Sequence, residues 1–129
     1  MALPTDAKVD LLVCDTIRQE SDGKLNLFGL FPTGEVQIDP TAKPPFTLNL
    51  TFTFILKDGD GHFRTSLQIL DPIGQELHKG DLPDIDKPGD KGHSLSATIN
   101  AIPIKNFGHY SVILMLDGQP YRRTVRIFQ

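Results

Sequence analysis

Few side chains in this chain could do chemistry, and their spacing limits what that chemistry is. Asp58-Gly-Asp60-Gly61 invites a calcium reading. An EF-hand loop beginning at Asp58 needs glycine at its sixth position and glutamate at its twelfth, and Phe63 and Ile69 stand there instead. Asp81, Asp84, Asp86 and Asp90 crowd the Pro/Gly-rich stretch 80–92, a set of hard oxygen donors for a cation, but Lys87 and Lys91 are interleaved and oppose one. His62, His78, His93 and His109 have no short metal-ligand spacing, and one cysteine completes no zinc set. Cys14 becomes a nucleophile only where a histidine lowers its pKa; in an apolar run it reads as a buried, inert thiol. Asp15 beside it reads as a structural hydrogen-bonding residue, bonded to a turn backbone.

The local catalytic signatures are absent: no Gly-x-Ser-x-Gly, phosphate-binding loop, dinucleotide glycine pattern or His-Glu-x-x-His occurs. Sugar binding needs exposed aromatics, and with no tryptophan only Tyr121, Phe107 or His109 could stack on a sugar face. The expectation is a protein that is not an enzyme and carries no cofactor or resident metal. Charge suggests a contact surface instead. Residues 57–91 hold five basic and eight acidic residues, whereas 92–129 hold Lys105, Arg122, Arg123 and Arg126 against Asp117 alone. Arg122, Thr124 and Arg126 share one strand parity, a basic stripe suited to an acidic protein partner, or simply a device that keeps a terminal strand from self-pairing.

The elements that position these residues are strands. Phe46, Leu48, Leu50, Phe52, Phe54 and Leu56 alternate with Thr47, Asn49, Thr51 and Thr53, so 46–56 reads as a strand with one buried and one wet face, long enough to require a bend or bulge. Asp58–Gly61 then reads as a tight turn into 62–71, making the two runs a hairpin. Asp71-Pro-Ile-Gly74 is a second turn before a short strand at 75–78, and 80–92 reads as a loop crossing between sheets. Strands resume at 94–104, and 109–116 with 121–128 flank Asp117-Gly-Gln-Pro120 as a terminal hairpin. Residues 8–20 fit a helix or a strand, with Val, Ile and Thr favouring the strand; Ser21-Asp22-Gly23-Lys24 then turns into a strand at 25–31.

Together these give about eight strands and no dependable helix in a single domain over 1–129: an all-β, immunoglobulin-like sandwich of two mainly antiparallel sheets. At 129 residues the chain buries enough surface to fold without staples. A net charge of −3 argues against a nucleic-acid or anionic-membrane binder, and no apolar run approaches a membrane span. Asp6 and Asp10 interrupt any secretory signal and a lone cysteine suits a reducing compartment, so the cytoplasm is expected.

Two stretches resemble known patterns. Gly108-His-Tyr110-Ser-Val112 looks like the tyrosine corner of immunoglobulin-like sandwiches, with valine where antibody domains have cysteine. Leu12-Val-Cys14-Asp15, the Gly23-Lys24 turn and Asn26-Leu-Phe-Gly29-Leu-Phe31 resemble the opening of a family of small, mostly bacterial β-sandwich proteins carrying a domain of unknown function. The resemblance implies a strand at 8–20 and a sandwich ending in a Gly-x-Tyr strand and hairpin, and it implies no activity or catalytic residue. The functional expectation is a non-catalytic accessory or adaptor acting through an unidentified protein partner; the alternative is a small-ligand or metal-binding module using loops at one end of the sandwich.

Overall fold

The alternation seen in the sequence becomes, among the described residues, nine strands in two sheets. The structure, a computed structural model, describes residues 2–21 and 24–129, with Gln19 described by its backbone alone. After a single 3-10 turn at Asp6–Lys8 come β1 (Val9–Gln19), β2 (Leu25–Phe31), β3 (Glu35–Gln37), β4 (Phe46–Leu56), β5 (Gly61–Leu70), β6 (Glu76–Lys87), β7 (His93–Ile104), β8 (Gly108–Leu116) and β9 (Gln119–Phe128). One sheet has the order β2-β1-β4-β7 and the other β3-β9-β8-β5-β6. All pairings are antiparallel except β3 with β9, which is parallel. Adjacent β4 and β7 in one layer face the β5-β8-β9 set in the other, the arrangement of an immunoglobulin-like sandwich.

The core lies between the layers. Phe52, Phe54 and Leu56 of β4 meet Phe63, Leu67 and Ile69 of β5 and Tyr110, Val112, Leu114 and Leu116 of β8 in one buried cluster. The segment 8–20 resolves as a strand over Val9–Gln19, with Val9 and Val13 in the core. The expected irregularity in the long strand is a shift of register between Leu48 and Leu50, where β7 carries the extra residue. There Ala101 adopts a φ of 56° while its N–H is held by Asn49 Oδ1 at 2.7 Å.

Four expectations change. β4 and β5 do not form a hairpin: the turn at 58–60 carries the chain from one sheet to the other. It is pinned there by reciprocal backbone bonds of Ala2 and Asp60 and by Thr5, whose N–H and hydroxyl both donate to Asp58. Residues 80–87 are not loop but the second half of β6, and the crossing is only 88–92. Proline is tolerated at Pro83 because β6 is an edge strand and bulges there, a step of two residues along β5 (Phe63 to Thr65) facing a step of three along β6 (Ile85 to Leu82). Thr51 and Thr53, expected on a wet face, are fully buried, with hydroxyls paired to Thr98 and Ser96 at 2.8 Å each. β1 leaves β4 after Cys14–Thr51, and its continuation with β2 leans over this face, so that Ile17 and Leu25 line a cavity of about 220 Å³ with Ser94 and Ser96. Lastly β3, too short to show a period, is a ninth strand. Of the turn expected at Ser21-Asp22-Gly23-Lys24, Asp22 and Gly23 lie outside the described residues.

Candidate functional site

β9 follows a two-residue turn, Asp117-Gly118, both at positive φ, which matches the right-handed twist of the two strands. Its odd residues Tyr121, Val125 and Ile127 point into the core, and Arg122, Thr124 and Arg126 stand exposed on the outer face as their parity predicts. The backbone alternates as well. Arg126 N–H donates to Gly34 O and Phe128 O accepts from Ile38 N–H, so even-numbered residues present their backbone to the strand's outer edge. β3 covers that edge only at 126–128. Among the described residues, Arg122 N–H and both backbone groups of Thr124 meet no protein partner.

This uncovered edge borders a groove of about 400 Å³ between the layers, walled by Val9–Val13 of β1, by Arg123–Val125 of β9 and by the Pro32-Thr33-Gly34 bend. The opposite wall is also unpaired backbone. Lys8 O accepts from Lys57 N–H, so the even residues of β1 bond β4 and the odd ones face away. Val9 O is taken by Arg123, Val13 lies beside β2, and Leu11 presents its N–H and C=O to the groove. Two strand edges, one from each sheet, thus line one slot.

The arginines there differ in role. Arg122 donates to Ser111 Oγ at 3.1 Å and forms no ion pair among the described residues. Arg126 is committed to its own chain, paired with Glu35 at 2.9 Å and stacked 4.2 Å over the Phe128 ring, which fastens β3 to β9. Arg123 belongs to the inner parity and bridges the layers, donating to Val9 O (2.7 Å), Asp6 O (2.6 Å), Asp6 Oδ1 (3.1 Å) and Arg122 O (2.7 Å). Sequence parity marked the outer residues but missed this clamp, whose only signal was a charged residue at an inward position.

The other candidates disperse. Asp84 and Asp86 lie on β6 and flank His62 of β5, with Asp86 Oδ1 2.6 Å from Nδ1 and Asp84 Oδ2 3.3 Å from Nε2. Hydrogen bonding to Asp86, then to Asp84, raises the His62 pKa above its ordinary value. Lys87, the one fully buried lysine, gives its ammonium to Gly59 O, Pro88 O and Lys91 O. Among the described residues no group of three or more His, Cys, Asp or Glu side chains is placed to hold an ion. Tyr121 is buried with its hydroxyl on Pro4 O at 2.6 Å and offers no face to a sugar; Phe107 is half-buried beside Phe46, and His109 is exposed.

The profile of a family of unknown function matches residues 10–126. The chain belongs to that family, DUF6941. No curated protein sequence matches it. Similar solved structures include the β-glucosidase from Listeria innocua in complex with glucose (TM-score 0.42, 9% identity over 94% of this chain) and the same enzyme with isofagomine (TM-score 0.40, 8% identity over 94%). The chain spans 16% of the length of those proteins, and likeness at this level bears on neither substrate nor activity.

Within this DUF6941 chain the residues of the opening motif take structural places. Cys14 is fully buried, its thiol on Thr16 O at 3.3 Å, and burial followed by the charge of Asp15 pushes its pKa up. Asp15 bonds no turn backbone among the described residues; its carboxylate lies over Gly29, where a Cβ would fall 2.2 Å from Oδ2 and where φ is +66°. The Gly-x-Tyr segment is a tyrosine corner in fact: Tyr110 is buried and its hydroxyl donates to Asn106 O at 2.5 Å.

Proposed function

We propose that this DUF6941 chain is a non-catalytic accessory or adaptor protein that works through protein–protein contacts, taking an extended, acidic segment of its partner as an added strand on β9. The observation that carries the reading is the unpaired backbone of Arg122 and Thr124 at the mouth of a groove whose far wall offers Leu11. Backbone groups in such a row recruit a strand, and main-chain hydrogen bonds supply affinity while neighbouring side chains select the sequence. Arg122, exposed and without a carboxylate among the described residues, favours an acidic incoming segment. A cytoplasmic setting, with Cys14 kept as a free thiol, belongs to the same proposal. The loop-site alternative has less behind it, because Asp58, Asp84 and Asp86 are already bonded within the chain.

The test is affinity capture from the native cell with the wild type, Arg122→Glu and Thr124→Pro as baits. Proline at 124 removes an N–H that β8 does not use, so the fold persists while the edge is blocked. The main partner should be lost from both variants at unchanged melting midpoint, and the amides of Arg122 and Thr124 should gain hydrogen-exchange protection in the wild-type complex. Retention of the partner by both folded variants overturns the β9 site.

A further inference from the structure

The backbone groups left free in the slot between β1 and β9 alternate in a way that strand addition to β9 alone does not require. A residue in a strand turns its N–H and C=O to one side, and the next residue turns both to the other. On β9 the free groups belong to outward residues, both groups of Thr124 and the N–H of Arg122. On β1 they belong to an inward residue, Leu11, whose side chain packs against the core. One extended segment fits this arrangement: a residue facing out bonds Thr124, and its neighbour, facing in, bonds Leu11. Had both walls offered residues of the same parity, no single strand could serve both.

Spacing and direction agree with this. Stacked sheets lie about 10 Å apart and paired strands about 4.8 Å, so one strand set between two sheet edges completes a ladder on each side. β1 and β9 run the same way past the slot. Pro4 O accepts from the Tyr121 hydroxyl, Val9 O from Arg123, and Gly34 O, beyond the Phe31 that pairs with Val13, from Arg126 N–H. A strand antiparallel to one is therefore antiparallel to both, the more stable kind of ladder. The slot also has ends. Arg123 holds Val9 O and Arg122 O before the free groups, and the bond from Arg126 to Gly34 follows them. An incoming strand has the stretch opposite Arg122–Thr124 to itself.

We infer that one segment of the partner pairs with both edges at once, antiparallel to each, and joins the two sheets through a shared strand. This rests on the β9 reading and adds the sequence that the segment carries. Its residue opposite Thr124 exchanges both backbone bonds with that threonine and lies on the outer face. The next residue exchanges both bonds with Leu11 and points inward, where Val9, Val13 and Val125 line the slot. That position takes an apolar side chain, and its need for an N–H excludes proline. The residue after it stands across from Arg122, which is exposed and has no carboxylate among the described residues. Opposite charge stabilises such a cross-strand pair, so this residue is acidic. The recognised element is an apolar residue followed by an acidic one, in an extended run.

Amide NMR of the full chain tests this with a blocked heptapeptide, Ser-Thr-Thr-Val-Glu-Thr-Ser, as the probe. The amides of Leu11, Arg122 and Thr124 should shift together and saturate with one dissociation constant. Methylating the backbone nitrogen of the peptide's valine removes the N–H that meets Leu11 O, and should raise that constant at least about fivefold. Lysine in place of the peptide's glutamate should also raise it. Shifts at Arg122 and Thr124 with Leu11 unmoved overturn the inference and leave the β9 proposal standing. Absence of shifts at millimolar peptide, or binding indifferent to both changes, overturns it as well, while the β9 proposal is read separately from partner capture. Protection of these amides in the free chain that is lost on dilution would put a second copy in the slot, and that too overturns the inference.

Discussion

Tyr110 shows how much one hydroxyl fixes. Its ring fills the core at the start of β8, and its O–H ties the strand back to Asn106 across Gly108, whose φ is 144°. Tyr110→Phe keeps the packing and leaves Asn106 O without that donor, so denaturant melts should show a loss of about 1 kcal/mol. Burial, and then the charge of Asp15, raise the Cys14 pKa and keep it a thiol near neutral pH. It should react slowly with a thiol reagent in the folded protein and quickly once unfolded; fast native labelling would show a reactive site. His62 makes the opposite kind of contact, exposed between two carboxylates that favour its charged form. Its folded pKa lies above the unfolded value, so its contribution to stability is complete below about pH 6.5 and fades as pH rises through the folded pKa. Its imidazole resonances should therefore titrate above the ordinary histidine midpoint, and Asp86→Asn should bring that midpoint down.

At the scale of the element, β4 is the strand on which the rest depends. Phe52 is buried and faces Val13 and Ala97 across its two ladders, so Phe52→Ala should cost about 3–5 kcal/mol in denaturant melts, and a loss below about 1 kcal/mol would contradict its place in the core. That strand was legible because six apolar residues of one parity leave no helical alternative. β6 was not, since Gly80, Pro83 and five charges between 79 and 87 look like a loop when nothing shows that the strand sits at an edge, free to bulge. The turn after β4 misled for a related reason. Asp58-Gly-Asp-Gly61 encodes a reversal, and only the distant Thr5 and Ala2 decide that the reversal changes sheets. The same division runs through the candidate site. Parity alone put Arg122, Thr124 and Arg126 outward, whereas the parallel pairing of three-residue β3, which takes Arg126 out of the free edge, depends on a contact 91 residues apart in sequence.

At the scale of the whole molecule, two sheets that share no strand need something to fix their spacing at the open side, and Arg123 does this. Its side chain is only 21% exposed, and its planar fork gathers the carbonyls of Val9, Asp6 and Arg122 together with the Asp6 carboxylate. The backbone ahead of β1 is thereby tied to β9 across the floor of the groove. Hydrogen bonds from a charged donor are among the stronger ones, and truncation leaves the partly buried Val9 carbonyl without this donor, while those of Asp6 and Arg122 can turn to water. Arg123→Ala should therefore lower stability by about 2–3 kcal/mol in denaturant melts, whereas Arg122→Ala, one position away and facing solvent, should change it by less than about 0.5 kcal/mol. Arg123→Lys should recover only part of the loss, because a single ammonium cannot reach all the acceptors that the guanidinium spans. Equal effects at 122 and 123 would mean that the sandwich is closed by its apolar core alone, and the groove would then owe its width to packing instead of to this clamp.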